Sequence, residues 1–250
     1  MGVQSGSSIA AVAAPRHLPG RIRLWQVDLD RYVASTSLDG LSAEEETRAR
    51  GLTAAAEAGR FRAAHHALRS LLGAVLGRDG RDLAFDVGPF GQPSVSGEPA
   101  LHFSLSHSES VALIGLGERP VGVDVEMIRP VPERDGLAET HLTAEELARW
   151  RSADPVDRDR ALLECWTRKE AVAKALGVGL SLPPQSIETI GPAGPRARLG
   201  DTWWPVAIEE LQLGRGAVAA VALVDRRAVD EAQRALMGQT ATTTVRLADE

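Results

Sequence analysis

The stretch Glu164 to Leu180, ECWTRKEAVAKALGVGL, limits the possible folds of this chain more than any other. Trp166, Ala173 and Leu176 recur at helical spacing, so the segment must lay one face of a helix on a core. Glu170 and Lys174 are four apart and share a face, one turn from each other. Gly177 is placed to end the helix as its C-cap, and Gly179 loosens the chain just beyond it. A carboxylate beside an ammonium at a helix end is either a solvated ion pair or half of a reacting site. Taken alone, the solvated pair is by far the commoner case.

Composition narrows the class. The 250 residues are 44% hydrophobic and 25% charged, in the range of a globular protein with one large or two small domains. A formal net charge of -6 excludes general nucleic-acid binding through a basic surface. Cys165 is the one cysteine, so no internal disulfide exists and a reducing compartment fits; beside Trp166 it reads as a buried thiol. The apolar run Ile9 to Ala14 is too short to span a membrane and lacks a cationic segment before it. The expectation is a cytoplasmic enzyme or binding protein, with no membrane and no nucleic-acid partner.

In chain order, residues 1–20 read as a flexible leader rich in Ser, Ala and Gly. Arg21 to Leu29 alternates like a strand. Ser42 and Glu45 form a capping box that starts a helix, and Arg60 to Leu76 carries an apolar stripe through Phe61, Ala64, Leu68, Leu71, Leu72 and Val75. Arg48, Arg50, Arg60, Arg62 and Arg69 make this region locally basic. Strands are expected at Leu83–Val87, Leu101–Leu105, Val111–Leu116 and Val121–Glu126. Arg129 to His141, with Pro130 and Pro132, reads as an irregular loop; Thr143 and Glu146 form a second capping box; Asp154-Pro155 opens the long helix. Trp203–Leu213 and Ala217–Val224 read as an antiparallel pair, and a last helix, Arg226 to Met237, precedes a polar tail. The order of helices and strands, repeated, gives an α+β fold in two halves meeting near Pro120.

On the strand Val121–Glu126, Val121, Val123 and Val125 point one way while Gly122, Asp124 and Glu126 point the other. Asp124 and Glu126 therefore offer two carboxylates from one face, which repel unless a cation lies between them. Such a pair suits Mg²⁺, an oxygen-seeking ion usually held by one or two carboxylates and substrate phosphates. Glu170 can complete the set, and Lys174 can neutralise phosphate charge, which points to phosphoryl chemistry. Each signal is weak singly: an Asp-x-Glu strand is usually a wet face, and a lone His107 is usually structural.

Together the signals resemble a known family. GVDVE (Gly122 to Glu126), WTRKEAVAKALGVGL (Trp166 to Leu180) and FSLSHS (Phe103 to Ser108) are similar to the signature motifs of the 4′-phosphopantetheinyl transferase superfamily. Length and layout resemble its monomeric, two-subdomain, surfactin-synthetase-type branch. The resemblance covers about Arg21 to Val224, and Ser104 stands where the family usually has Asn. It implies two similar α/β subdomains in pseudo-two-fold arrangement with the active site in the cleft between them. The N-terminal subdomain would span residues 21–120 on the nucleotide side of coenzyme A. The C-terminal one, residues 121–225, would carry the metal site and face the carrier protein, with a helix and polar tail at 226–250. It implies Mg²⁺, with Mn²⁺ as a substitute, on Asp124, Glu126 and Glu170, and coenzyme A as substrate. It further implies catalytic roles for Glu170, Lys174 and His107. Coenzyme A contacts would come from Arg48, Arg60, Gln92, Ser106, His107 and Lys174.

The implied activity is holo-[acyl-carrier-protein] synthase chemistry. Phosphopantetheine passes from coenzyme A to a serine of an apo acyl or peptidyl carrier protein, and adenosine 3′,5′-bisphosphate leaves. Gln92 aligns with the lysine of the family's G-K-P turn, so a charge is missing there unless Arg48 or Arg60 supplies it. Phe61 aligns with a small hydroxyl residue, and that contact is not carried over. His141-Leu142 replaces an aromatic pair. The loop Met127 to Leu142 is the candidate carrier surface, and one chain holding both halves implies a monomer. Two other readings compete: a different Mg²⁺-dependent phosphoester enzyme, and a non-catalytic binder of coenzyme A or carrier proteins.

Overall fold

A computed structural model describes residues 7–214 and 216–248, with side chains through residue 238. The first sheet has four antiparallel strands in the order β1 (Ile9–Val12), β2 (Ile22–Asp28), β6 (Val111–Gly117) and β5 (His102–Ser108). β6 is buried along its whole length because both its neighbours and both its faces are covered. After β2 come α1 (Leu29–Ser35), α2 (Ala43–Arg50) and α3 (Ala55–Leu76). α3 packs Ala63, Ala64, Ala67, Leu68 and Leu72 onto Val27, Phe103 and Ile114. A two-stranded ribbon, β3 (Phe85–Val87) with β4 (Pro93–Val95), precedes β5.

The second sheet is formed by β11 (Ala207–Glu210), β12 (Ala217–Leu223) and β7 (Val121–Met127), antiparallel and in that order. Between β7 and β12 the chain builds α4 (Arg134–His141), α5 (Ala144–Ser152) and α6 (Arg158–Ala175). A third small sheet of β8 (Ile187–Glu188), β9 (Arg196–Leu199) and β10 (Thr202–Pro205) comes next. The chain closes with α7 (Arg226–Ala248). One core is shared by the two sheets, with Leu24, Val111 and Leu113 clustered with Val121, Val123, Val125 and Val221. Another lies under α6 and α7, where Ala171, Val172 and Leu176 meet Ala220, Ala222 and Ala232. The α+β class is as the sequence implies.

Several boundaries differ from the sequence reading. Part of the expected leader is β1, which takes its hydrogen bonds from β2; residues 1–6 of that leader lie outside the described residues. The expected loop Arg129–His141 contains α4, which begins at Glu133 in the left-handed region (φ 53°) with no side-chain cap. α6 starts at Arg158 rather than at Pro155. Thr202–Pro205 pairs with β9, so only Ala207–Glu210 joins Ala217–Leu223. The last helix runs on to Ala248, beyond Met237; Asp249 and Glu250 of the tail lie outside the described residues. Among the described residues, no helix is long and apolar enough to cross a membrane.

Candidate active site

The two sheets meet at their edges, where β5 and β7 run side by side in the same direction. Their backbones form no ladder with each other. Three serine hydroxyls bridge the gap instead. Ser104 Oγ accepts from Val123 N at 3.0 Å, Ser106 Oγ from Val125 N at 3.4 Å, and Ser108 Oγ from Met127 N at 3.1 Å. α6 lies over the other face of β7 at Gly122, where an added Cβ would stand 1.9 Å from Ala171 O. This contact puts Lys174 over Asp124.

Asp124 is 4% exposed. Its Oδ1 accepts from Lys174 Nζ at 2.6 Å and from Ser106 Oγ at 2.7 Å, while Oδ2 is buried with no partner. Burial pushes the Asp124 carboxyl above the usual range, against the pull of Lys174 and Ser106. Glu126 Oε2 accepts from Ser108 Oγ at 2.9 Å and from Arg129 Nη1 at 3.0 Å. Burial raises the Glu170 carboxyl, and the charges of Asp124 and Glu126 raise it further; Lys174 opposes. Asp124, Glu126, Glu170 and Lys174 thus share one electrostatic neighbourhood.

The expected gathering of three carboxylates around one point is not reached. Among the described residues, no three His, Cys, Asp or Glu side chains are close enough to hold one metal ion. Like charges repel, and here each of two carboxylates turns to a nearer counter-charge, Asp124 to Lys174 and Glu126 to Arg129. The donor chemistry nevertheless fits a hard divalent cation. The groups are carboxylate oxygens, and the orphaned Asp124 Oδ2 is a buried acceptor in need of a positive partner.

The phosphate contacts expected from sequence are split. Gln92 and Lys174 line one cleft of about 310 Å³, together with His102, Phe103, Gly177 and Arg226. Ser106 is buried beside Lys174 Nζ, 3.1 Å away. His107 lies across from Phe61, with ring centroids 6.4 Å apart, and Arg48 has its guanidinium 5.6 Å from the Phe61 ring. His107 is open at its outer edge, yet the protein around its ring strips solvation. That, with the positive charges of His65 and Lys174, pushes its pKa below the ordinary value, against Glu126. Arg60 does not reach the cleft: Asp30 takes its Nε at 2.7 Å and Nη2 at 3.0 Å, a bidentate ion pair.

Two sets of residues escaped the sequence reading. Lys169, beside Glu170 but turned inward, is 2% exposed; its Nζ meets Glu146 Oε2 at 2.6 Å and donates to the carbonyls of Pro184 and Ile187. Glu146 also accepts from Thr143 N, Thr189 N and Thr189 Oγ1, so one buried network fixes α5, α6 and the segment before β9. The serines at 104 and 108 were visible only as alternate positions of FSLSHS, and nothing in that spacing says what they touch. Cys165 is buried, as expected, and burial pushes its thiol up.

Residues 120–222 match the family model of the 4′-phosphopantetheinyl transferase superfamily. The 4′-phosphopantetheinyl transferase HetI of Nostoc sp. is 30% identical over 213 residues, covering 82% of this chain and 89% of that protein. The 4′-phosphopantetheinyl transferase ffp of Bacillus subtilis is 30% identical over 178 residues, 66% of this chain and 75% of its own length. The 4′-phosphopantetheinyl transferase Sfp of Bacillus subtilis (strain 168) is 29% identical over 136 residues, 51% of this chain and 60% of its own length. Fold and edge-strand site define an α+β protein whose acidic strand faces a Lys- and Glu-bearing helix. The chain belongs to the 4′-phosphopantetheinyl transferase superfamily.

Proposed function

We propose that this protein transfers the 4′-phosphopantetheine group of coenzyme A to a serine of an apo acyl or peptidyl carrier protein. One observation carries the reading. In a chain of this family, Asp124 and Glu126 of β7 stand on the face that α6 covers with Glu170 and Lys174. In the reaction the carrier serine oxygen bonds to the β-phosphorus of coenzyme A. The phosphoanhydride P–O bond breaks, and adenosine 3′,5′-bisphosphate leaves with its electron pair.

Glu170 takes the serine proton, directly or through a water. Lys174, already within 3.1 Å of Ser106 Oγ and 2.6 Å of Asp124 Oδ1, holds phosphate oxygens as charge moves to the leaving group. Ser106 and His107 contact the pyrophosphate, Gln92 the nucleotide in the 310 Å³ cleft, and Arg48 the nucleotide phosphates from its place over Phe61. Asp124, Glu126 and Glu170 would hold Mg²⁺, or Mn²⁺ in its place, which would neutralise pyrophosphate charge. Arg60 enters this scheme only if its pair with Asp30 opens.

We assign the halves to residues 21–120 and 121–225, with the reaction at their seam. The carrier docks on the segment 127–142, where Arg129 and Leu137 border an apolar hollow of about 250 Å³ next to Glu126. One chain holds both halves, so the protein acts as a monomer. A single cysteine, and no membrane-crossing helix among the described residues, support a cytoplasmic place of action.

The test is to incubate the protein with coenzyme A, Mg²⁺ and an apo carrier domain and to weigh the carrier. A gain of one phosphopantetheine group, lost with Asp124→Ala, supports the reading. Hydrolysis without transfer would favour another phosphoester enzyme, and no product a silent binder. Substituting Arg129 should raise the KM for the carrier and leave that for coenzyme A.

A further inference from the structure

Edge strands expose rows of backbone donors that must find partners, and most proteins pair them with another strand or cover them. At the seam β5 and β7 are both edge strands, and β7 turns Val123 N, Val125 N and Met127 N toward β5. The partner at each is a serine hydroxyl two residues further along β5. A hydroxyl also carries one proton to donate. Ser106 gives it to Asp124 Oδ1 at 2.7 Å and Ser108 to Glu126 Oε2 at 2.9 Å. In both cases the serine accepts from the amide one residue past the carboxylate that it serves. Opposite Ser104 the matching position is Gly122, which has no side chain to aim, so Ser104 does the joining alone.

We propose that Ser104 and Ser108 are positioning residues. With Ser106 they join the two halves in register, and Ser108 holds the Glu126 carboxylate beside Asp124 on the α6-facing side of β7. Arg129 pulls the same Oε2 from the other side at 3.0 Å, from a side chain about half exposed. The half-buried hydroxyl, held by Met127 N at 3.1 Å, is the fixed end of that contest and the more exposed arginine the mobile end. Removing the hydroxyl lets Glu126 swing to Arg129 and also leaves Met127 N without an acceptor. The inference about Glu126 rests on the metal reading above, whereas the joining of the halves does not.

Three full-length variants test it: Ser108→Ala, Ser108→Thr and Ser104→Ala. Mn²⁺ affinity, read by the electron paramagnetic resonance of free Mn²⁺ with coenzyme A present, should fall about ten-fold in Ser108→Ala. It should stay within roughly two-fold of the parent in Ser108→Thr, which keeps the hydroxyl, and in Ser104→Ala. Residue-resolved amide exchange should quicken at Met127 in Ser108→Ala and at Val123 in Ser104→Ala. Equal Mn²⁺ affinity in Ser108→Ala and the parent overturns the holding of Glu126 by Ser108. A parent that takes up no Mn²⁺ overturns it too, through the metal reading. Unchanged exchange at both amides overturns the hydroxyl seam, whatever the metal does.

Discussion

Gly122 is the position where the site depends most on backbone contact, and Gly122→Ala is the sharpest perturbation. A Cβ there would lie 1.9 Å from Ala171 O and 2.4 Å from Ala175 N, both main-chain atoms of α6. Ordinary contact begins near 3.4 Å, so helix and strand must part by roughly 1.5 Å, because neither atom belongs to a side chain that can rotate away. Overpacking of this kind costs about 1–3 kcal/mol, and more where backbone meets backbone. The same displacement opens the 2.6 Å contact of Lys174 with Asp124 and carries Glu170 away from β7. A misplacement of about 1 Å at a reacting centre costs on the order of 100-fold in rate. Thermal unfolding together with kcat/KM for carrier modification reads both effects. The variant should melt several degrees below the parent and lose about two orders of magnitude in kcat/KM. A Gly122→Ala protein with the parent's melting temperature and turnover would refute the close packing of α6 on β7.

Single groups elsewhere give further outcomes. Lys169→Ala leaves Glu146 charged and buried, and should cost about 3–5 kcal/mol in denaturant unfolding; a loss below about 1 kcal/mol would contradict the buried pair seen at 2.6 Å. Burial alone would raise the Glu45 carboxyl, but hydrogen bonds from His65, Ser42 N and Arg69 outweigh it and hold the pKa near 2, against an ordinary 4.5. The stability from Glu45 is therefore complete above about pH 4.5 and lost as pH falls through about 2, a depressed folded pKa being the case where acid destabilises. Unfolding free energy measured down this range should fall more steeply in the parent than in Glu45→Gln, and parallel curves would count against it. Gln92→Lys returns a charge to the 310 Å³ cleft and should lower the KM for coenzyme A, while a higher KM would show that the side chain does not face the nucleotide.

Local signals in the sequence were reliable where the structure itself is local. Ser42 with Glu45, and Thr143 with Glu146, are capping boxes in sequence and structure alike because all their partners lie within three residues. The alternation Val121, Val123, Val125 against Asp124 and Glu126 is equally direct: one face fills the core between the sheets and the other meets α6. What stayed hidden is non-local. Ile9–Val12 is a strand only because Leu24 to Val27 pairs with it across the loop. Pro130 and Pro132 hide α4, which starts without a capping side chain. Arg69 reads as part of a basic face, yet it is buried on Glu45 and on the carbonyls of Gly80 and Leu83. Arg60 reads as a phosphate ligand, and only the fold reveals that Asp30 already occupies it. Pairing choices between distant charges are decided by tertiary distance, which spacing along the chain does not encode.

The central claim is that Asp124, Glu126 and Glu170 share one divalent ion. Crystals of the protein grown with Mn²⁺ and coenzyme A, measured for anomalous scattering, test it most directly. The account predicts one Mn²⁺ within coordination distance of an oxygen of each carboxylate, with Lys174 displaced from Asp124 toward phosphate. Manganese bound elsewhere, with the Lys174–Asp124 and Arg129–Glu126 pairs intact beside bound coenzyme A, would contradict it.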